Sequence, residues 1–521
     1  MNKQFFRGLY SEKRINSVLL ALYLTFVLLC QVLVWGIFNT DYYGFALRLC
    51  LVVSLLLSPL IIRFVSPIYI NDSPFERITG KKLTLFFYLT PLVVFLFFYL
   101  IYFPGSFSPD TYNQYAQITS GRYNDWHPVL HTLFAFFIPL KATNGWVGSI
   151  SLFQIIVFAI ALGYSFSSVY KYTGKKYIVG FMIYTLCNPL ICISIIPWKD
   201  VTFAIGALLL MTFSLNTIET KGLWIKKPLN FIVFSIIFVC TTIIRHNAVL
   251  FTAPLLVALF FQIPWKRFLV LTLSGIVLFV AIKGPLYSYL DVEKPDHRQV
   301  ETLGLPMTII GAAVTGQPDQ LDEDVLEFAY NLAPKNVWEQ NYVLGNFNSI
   351  KSLCDLEVIE QYGTKRILEM TMRCIKSQPE ICIKSLIKTT EAVYTVTDPH
   401  YVGVEPAIGD NSYGIEMKKR GANFRLLFTA YRYFITIVAP HLFLFYGVVA
   451  LVVMVSILAK CNLGVFHDWK KIFFAVPLFS YNFGSALLLT GYDDSPRFFY
   501  YTVLIVPVIL VLFYKMEESA K

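Results

Sequence analysis

The residues that could do chemistry sit in short polar clusters between long apolar runs. The first cluster is Pro104-Gly-Ser-Phe-Ser-Pro-Asp110, followed by Tyr123-Asn-Asp125-Trp126-His127-Pro128 and His131. Further along come Trp198-Lys199-Asp200, Arg245-His246-Asn247 and Asp493-Asp494-Ser-Pro-Arg497. Asp110 has two readings. Ser108-Pro109-Asp110 is a helix start, with Ser at the cap, Pro in the first turn and Asp favoured by the helix dipole. A carboxylate at a partly desolvated interface can equally take a proton from an acceptor hydroxyl, as a general base does. Residue type alone does not separate the two.

Asp125, His127 and His131 are spaced to bind a divalent metal, the two histidines lying one helical turn apart. The pattern lacks the Glu of a zinc-protease helix, and the competing reading has His127-Pro128 capping a helix and orienting a carboxylate. Lys199, Arg245 and Arg497 together could neutralise a phosphate, and Arg suits this because its planar fork binds phosphate oxygens in pairs. Each also has a plainer reading. Lys199 could snorkel at a membrane boundary, and Arg497 could pair locally with Asp493 or Asp494. Arg245-His246-Asn247 splits an apolar run, where polar residues are usually paired or functional. Trp126, His246 and Asp494 share these clusters and join them as candidate substrate contacts.

The elements that must position these residues are membrane helices. The chain of 521 residues is 56% hydrophobic and only 15% charged, well below the roughly one-quarter charged content of a soluble protein. Several runs exceed about 18 residues without a charge, enough to span a bilayer. The expected fold is an all-α polytopic integral membrane protein with about twelve transmembrane helices and a mostly helical extracytoplasmic domain. An N-terminal module, residues 1–283, would carry the outer loop 104–146; residues 284–424, richer in acidic residues and prolines, would form the extracytoplasmic domain; residues 425–521 would add the last helices. His127–Leu140 is too short to span and reads as a juxtamembrane or re-entrant helix. Within 284–424 the patterns predict helices at Leu321–Leu332, Ile350–Tyr362 and Pro379–Tyr394. In the last, Ile381, Ile383, Leu386 and Ile387 share one face.

Orientation follows from charge. With a cytoplasmic N-terminus, the segments on that side hold 21 of the 43 Lys and Arg residues, the bias that the positive-inside rule requires. Both termini are then cytoplasmic, and every polar cluster lands on the opposite face of the cell membrane. The net charge of +10 is explained by those loops, and no basic face with stacking aromatics points to nucleic acid. Nine cysteines are scattered. Cys30, Cys50, Cys187, Cys192 and Cys240 read as core residues, and a disulfide among Cys354, Cys374 and Cys382 is left open.

A span, an outer loop with Asp soon after Pro104-Gly105, and His-Pro opening the next apolar piece together resemble the GT-C superfamily of membrane glycosyltransferases. Asp110, Asp125-Trp126-His127-Pro128, Asn188-Pro189, Trp198-Lys199-Asp200 and Arg497-Phe-Phe-Tyr carry the likeness. They are similar in particular to an uncharacterised bacterial GT-C-like family. The resemblance implies an inverting transfer of a sugar from a polyprenyl-phosphate donor to a surface glycan, lipid or protein outside the cytoplasm. It matches Asp110 to the first-loop catalytic Asp and Asp200 to the second acidic motif. Two departures are plain: two spans, rather than one, precede the helix leading into the Asp loop, and Lys199-Asp200 replaces a two-acid motif. The second leaves a divalent metal open, and no other cofactor is implied. A flippase for a lipid-linked saccharide is a competing class, but transporters place ionisable groups near the midplane and often show inverted repeats. A polysaccharide polymerase or ligase is a closer competitor.

Overall fold

A computed structural model of the chain describes residues 14–36, 42–70, 79–295, 300, 302–396, 406–418, 422–434, 437, 446–461, 463 and 469–514. It is 78% helical, and no strand occurs among the described residues. The longer helices are numbered in chain order. In the first half they are α1 Arg14–Trp35, α2 Tyr43–Val65, α3 Lys81–Ile101, α4 Pro109–Ser120 and α5 Val129–Ala142. There follow α6 Gly148–Tyr172, α7 Lys175–Leu186, α8 Lys199–Glu219, α9 Pro228–Ile244, α10 Val249–Phe260 and α11 Trp265–Tyr289. In the insert come α12 Gly304–Gly316, α13 Glu323–Leu332, α14 Lys335–Asn341, α15 Glu357–Ser377 and α16 Pro379–Thr390. The last are α17 Ala422–Tyr433, α18 Tyr446–Lys460, α19 Val476–Ala486 and α20 Ser495–Tyr514.

Among the described residues, seven helices are long and apolar enough to cross a membrane: α1, α2, α3, α6, α8, α11 and α20. The other described apolar segments form shorter helices, so helix length among the described residues does not confirm the expected twelve spans. Asn188 stops the run expected at Tyr177–Ile196: its side chain caps a 3-10 turn that opens at Pro189, so α7 ends at Leu186. α9 and α10 have 17 and 12 residues and are separated by extended backbone at Arg245. α19 has 11 residues, against the longer run expected at 472–490; of the run expected at 433–459, residues 435–436 and 438–445 lie outside the described residues, and Tyr446–Lys460 form α18. α5 is short, as its sequence implies, with a π-turn at Leu133–Phe137.

Burial ranks the helices. In α8, 89% of the most apolar window is buried, against 6% in α11, so α8 is the central column and α11 lies at the rim. α8 packs on α20, α9 and α6. Close approach requires small residues: a Cβ at Gly206 of α8 would lie 2.2 Å from Thr241 Oγ1 of α9.

Residues of α12 to α16 enclose a separate core built on Ile310, Phe328, Trp338, Phe347, Ile367 and Met370. The apolar face expected on α16 is buried in part: Ile381 and Leu386 pack against this core and Ile387 against the membrane-helix core, whereas Ile383 is 46% exposed and the fully buried positions are Cys382, Ser385 and Thr389. α16 is wedged between α12 and α1, and Ser385 Oγ donates to Thr308 O across the first contact at 3.0 Å. The helix expected at Ile350–Tyr362 is split into Asn348–Lys351 and α15, whose backbone breaks at Gly363 with φ of 72°. Cys354, Cys374 and Cys382 are free thiols, and Cys187 is exposed rather than in the core.

Two seams tie the insert and the strap after it to the chain around Asp110. Residues 406–418 return to the loop before α4: Phe107 N donates to Ala407 O at 2.8 Å and Lys418 N to Phe103 O at 3.1 Å. Phe347 N donates to Thr490 O at 2.9 Å, and Gly304 packs on that same turn. A Cβ at Gly304 would meet Leu489 O at 2.8 Å and Thr490 Cα at 2.9 Å, both backbone. Gly304→Ala is therefore expected to cost about 1–3 kcal/mol through overpacking, read as a lower melting temperature in detergent.

Candidate functional site

Ser108 caps α4, and its Oγ accepts from Thr111 N at 3.4 Å and from Trp198 Nε1 at 2.7 Å. Pro109 fills the first helical position. The capping role thus belongs to Ser108, and the Asp110 carboxylate is free to face elsewhere. It accepts from Arg497 Nη1 at 2.8 Å. Burial pushes this carboxyl up, but the charges of Arg497 and Lys199 outweigh it and hold Asp110 down at about 2.

Arg497 is shared. Its Nη2 donates to Asp494 Oδ1 at 2.8 Å, and its guanidinium lies 5.7 Å from the Trp198 ring. Asp494 in turn accepts from Asn348 Nδ2 at 3.0 Å, and Asp493 accepts from the same amide at 2.9 Å. A chain of bonds therefore runs from the insert through Asp494 and Arg497 to Asp110.

Asp200 occupies the first turn of α8 and forms a buried ion pair with Arg245; the side chains are 2% and 4% exposed. Arg245 also donates to Tyr481 Oη at 2.6 Å and covers the Phe498 ring at 4.0 Å. Such a pair is held by geometry, because each buried charge is costly without the other. Lys199, the neighbouring residue, donates to His127 Nδ1 at 3.1 Å. Among the described residues no carboxylate lies within ion-pair distance of Lys199.

That bond fixes the histidine. An ammonium has only donors, so His127 Nδ1 must accept and its proton sits on Nε2, which is buried without a partner among the described residues. Burial first, and then the charge of Lys199, pushes His127 down to about 3. His131 is likewise held at about 3, mainly by burial. Both are neutral in the fold and bind a proton near 6.5 once unfolded. Their contribution to stability is complete above that value and is lost progressively as pH falls toward 3. Thermal unfolding between pH 6.5 and 4 is expected to show this slope, and His127→Gln to flatten it.

Asp110, Asp125, Trp126, Lys199, Asp200, Arg245, His246, Asp494 and Arg497 all line one cavity of about 470 Å3. His127 lies behind its wall, supporting Lys199. The candidate metal ligands Asp125, His127 and His131 do not come together. Asp125 is bound by Lys283 Nζ at 3.0 Å and by Tyr287 Oη at 2.6 Å. His131 Nδ1 pairs with Gln114 Oε1 at 2.6 Å and its Nε2 with Thr202 Oγ1 at 3.1 Å. No group of three or more His, Cys, Asp or Glu able to hold a metal occurs among the described residues.

Sequence reasoning missed several participants. Lys283 and Tyr287 reach Asp125 from the end of α11, where a π-turn at Ile282–Leu286 turns them inward. Lys283 gave one signal, a lone charge ending an apolar run. Tyr481 and Asn348 gave none. The insert contributes Thr302, Asn348 and Lys351 to the cavity wall.

The arrangement sets four carboxylates, Asp110, Asp125, Asp200 and Asp494, in the same cavity as two ammonium groups, Lys199 and Lys351, and two guanidinium groups, Arg245 and Arg497. It can take a proton from one bound group while stabilising negative charge on another. No family model, no curated protein and no solved structure matches the chain.

Proposed function

We propose that the protein is a GT-C-type glycosyltransferase that moves a sugar from a polyprenyl-phosphate donor to an acceptor outside the cytoplasm. On this reading it is a multipass protein of the cell membrane with about twelve spans, both termini are cytoplasmic, and the cavity opens on the outer face. The observation that carries the reading is Asp110 sharing a cavity with Lys199, Arg245 and Arg497. An acceptor hydroxyl attacks the anomeric carbon, and its proton passes to Asp110. The bond from that carbon to the phosphate oxygen breaks, and the lipid phosphate leaves with the electron pair. Lys199, Arg245 and Arg497 bind the phosphate, while Asp200 acts through Arg245.

A monophosphate leaving group needs less metal assistance than a diphosphate, and the cavity cations supply charge stabilisation. The clustering of charged residues at helix ends favours a transferase over a flippase, which would place them near mid-span. Trp126, His246 and Asp125 line the rest of the cavity, and the insert wall faces the acceptor. Comparison of cell-surface glycans with and without the gene product tests the reading; identical glycans would sink it. Product length separates a single added sugar from polymerised repeats.

Lys351→Ala tests the insert wall. The expected result is a several-fold higher KM for the acceptor, with kcat and the donor KM within a factor of two. Initial rates with each substrate varied in turn provide the check.

A further inference from the structure

Arg497 holds Asp110 and Asp494 at equal distances, 2.8 Å each. In this state the guanidinium commits one of its forks to the very carboxylate that must accept a proton. Lys199, beside it, has a histidine in place of a carboxylate partner. Resting on the glycosyltransferase reading, we propose that the donor's phosphate displaces Asp110 from Arg497, so that substrate binding itself converts Asp110 into a usable base.

The physical case starts from geometry. A phosphate monoester or diester offers planar-fork acceptors as good as a carboxylate's. Lys199 gives it a first foothold, and Arg497 lies within reach of the same cavity. Asp494, braced by Asn348 Nδ2 at 3.0 Å, keeps the second fork of Arg497 in place, so the guanidinium can change one partner without leaving the site. The groups facing Asp110 are Arg497 of α20, Lys199 and Asp200 of α8, His127 of the loop before α5, and Asp494 of the turn before α20. Of these only Arg497 touches it with a hydrogen bond. While that bond persists the carboxylate is a weak proton acceptor, held at about 2. Replacing the guanidinium's contact with a phosphate removes the strongest charge partner and adds a negative neighbour, and both raise proton affinity.

The test reads Asp110 directly and does not depend on sugar transfer. The full chain is reconstituted in lipid nanodiscs, and the protonated-carboxyl infrared band absent from Asp110→Asn is followed against pH. Farnesyl phosphate or inorganic phosphate is the added probe, and calorimetry reports its binding. Farnesyl phosphate is expected to bind and to move the Asp110 midpoint upward by at least one pH unit, a tenfold gain in proton affinity. A matching shift with inorganic phosphate also supports the exchange and assigns it to the phosphate group alone; a shift restricted to farnesyl phosphate assigns it to a lipid headgroup. Binding of farnesyl phosphate with no change in the Asp110 midpoint overturns the exchange and leaves the glycosyltransferase reading standing. Failure of farnesyl phosphate to bind overturns both.

Discussion

Asp110→Asn is expected to lower kcat by about 1,000-fold, the scale of a positioned general base, while the protein still folds and inserts. Asn keeps the shape and an acceptor oxygen for Arg497, so the fork between α4 and α20 is retained. The variant cannot hold a proton taken from an acceptor hydroxyl. A second effect runs the other way. With the carboxylate gone, Arg497 is opposed only by Asp494, and a phosphate meets a less satisfied guanidinium. The donor KM is therefore expected to fall a few-fold as kcat collapses, a split that general misfolding does not produce. Retained activity in a stably inserted variant removes Asp110 from the chemistry.

Breaking the Asp200–Arg245 pair is expected to have the largest effect on stability. Asp200→Ala leaves a guanidinium 4% exposed, braced by Tyr481 and Phe498 but without its counter-charge. The cost of orphaning one member of a buried pair is about 3–5 kcal/mol. Arg245→Met alone strands the carboxylate and is expected to cost a similar amount. The double variant Asp200→Asn with Arg245→Met removes both charges and is expected to recover most of the stability, since apolar replacement of a buried pair is often close to neutral. It is not expected to recover transfer, because the proposed phosphate ligand Arg245 is missing. Denaturant unfolding in detergent and initial rates, measured on the same preparations, separate the two roles. Equal activity of the double variant and the native chain excludes Arg245 from phosphate binding.

The clusters that line the cavity were legible because each interrupts an apolar run, where a charge is costly and is kept only when paired or used. Asp110, Lys199, Arg245 and Arg497 lie far apart in the chain, yet share one cavity. Their partners were harder to see. Tyr481 is an ordinary aromatic in an apolar helix until Arg245 is placed beside it. Asn348 lies in the insert, and its bonds to Asp493 and Asp494 span 145 and 146 residues. The metal set at Asp125, His127 and His131 looked plausible from spacing alone. It fails because Lys283, Lys199 and Gln114 draw the three side chains toward separate partners.

Helix identity was also more legible than helix length. Hydropathy marks where a chain is apolar but not where its backbone leaves the helix. Asn188-Pro189 carried a break signal within a run that still reads as one span, and the side-chain cap on Leu190 N shows how it acts. The face of α16, read correctly at Ile381, Leu386 and Ile387 but not at Ile383, has a related cause. Periodicity presumes one buried side, whereas α16 has neighbours on two.

α11 is fastened at its two ends, with a bare flank between them. Its apolar side, with Val270, Leu273, Val277 and Val280, is exposed. Near its start Arg267 donates to Ile225 O, while at its far end Lys283 and Tyr287 grip Asp125 and Glu293 N donates to Tyr123 O at 2.9 Å. A change in tilt forced by a thinner or thicker bilayer would therefore load these two anchors, one of which, Asp125, forms part of the cavity wall.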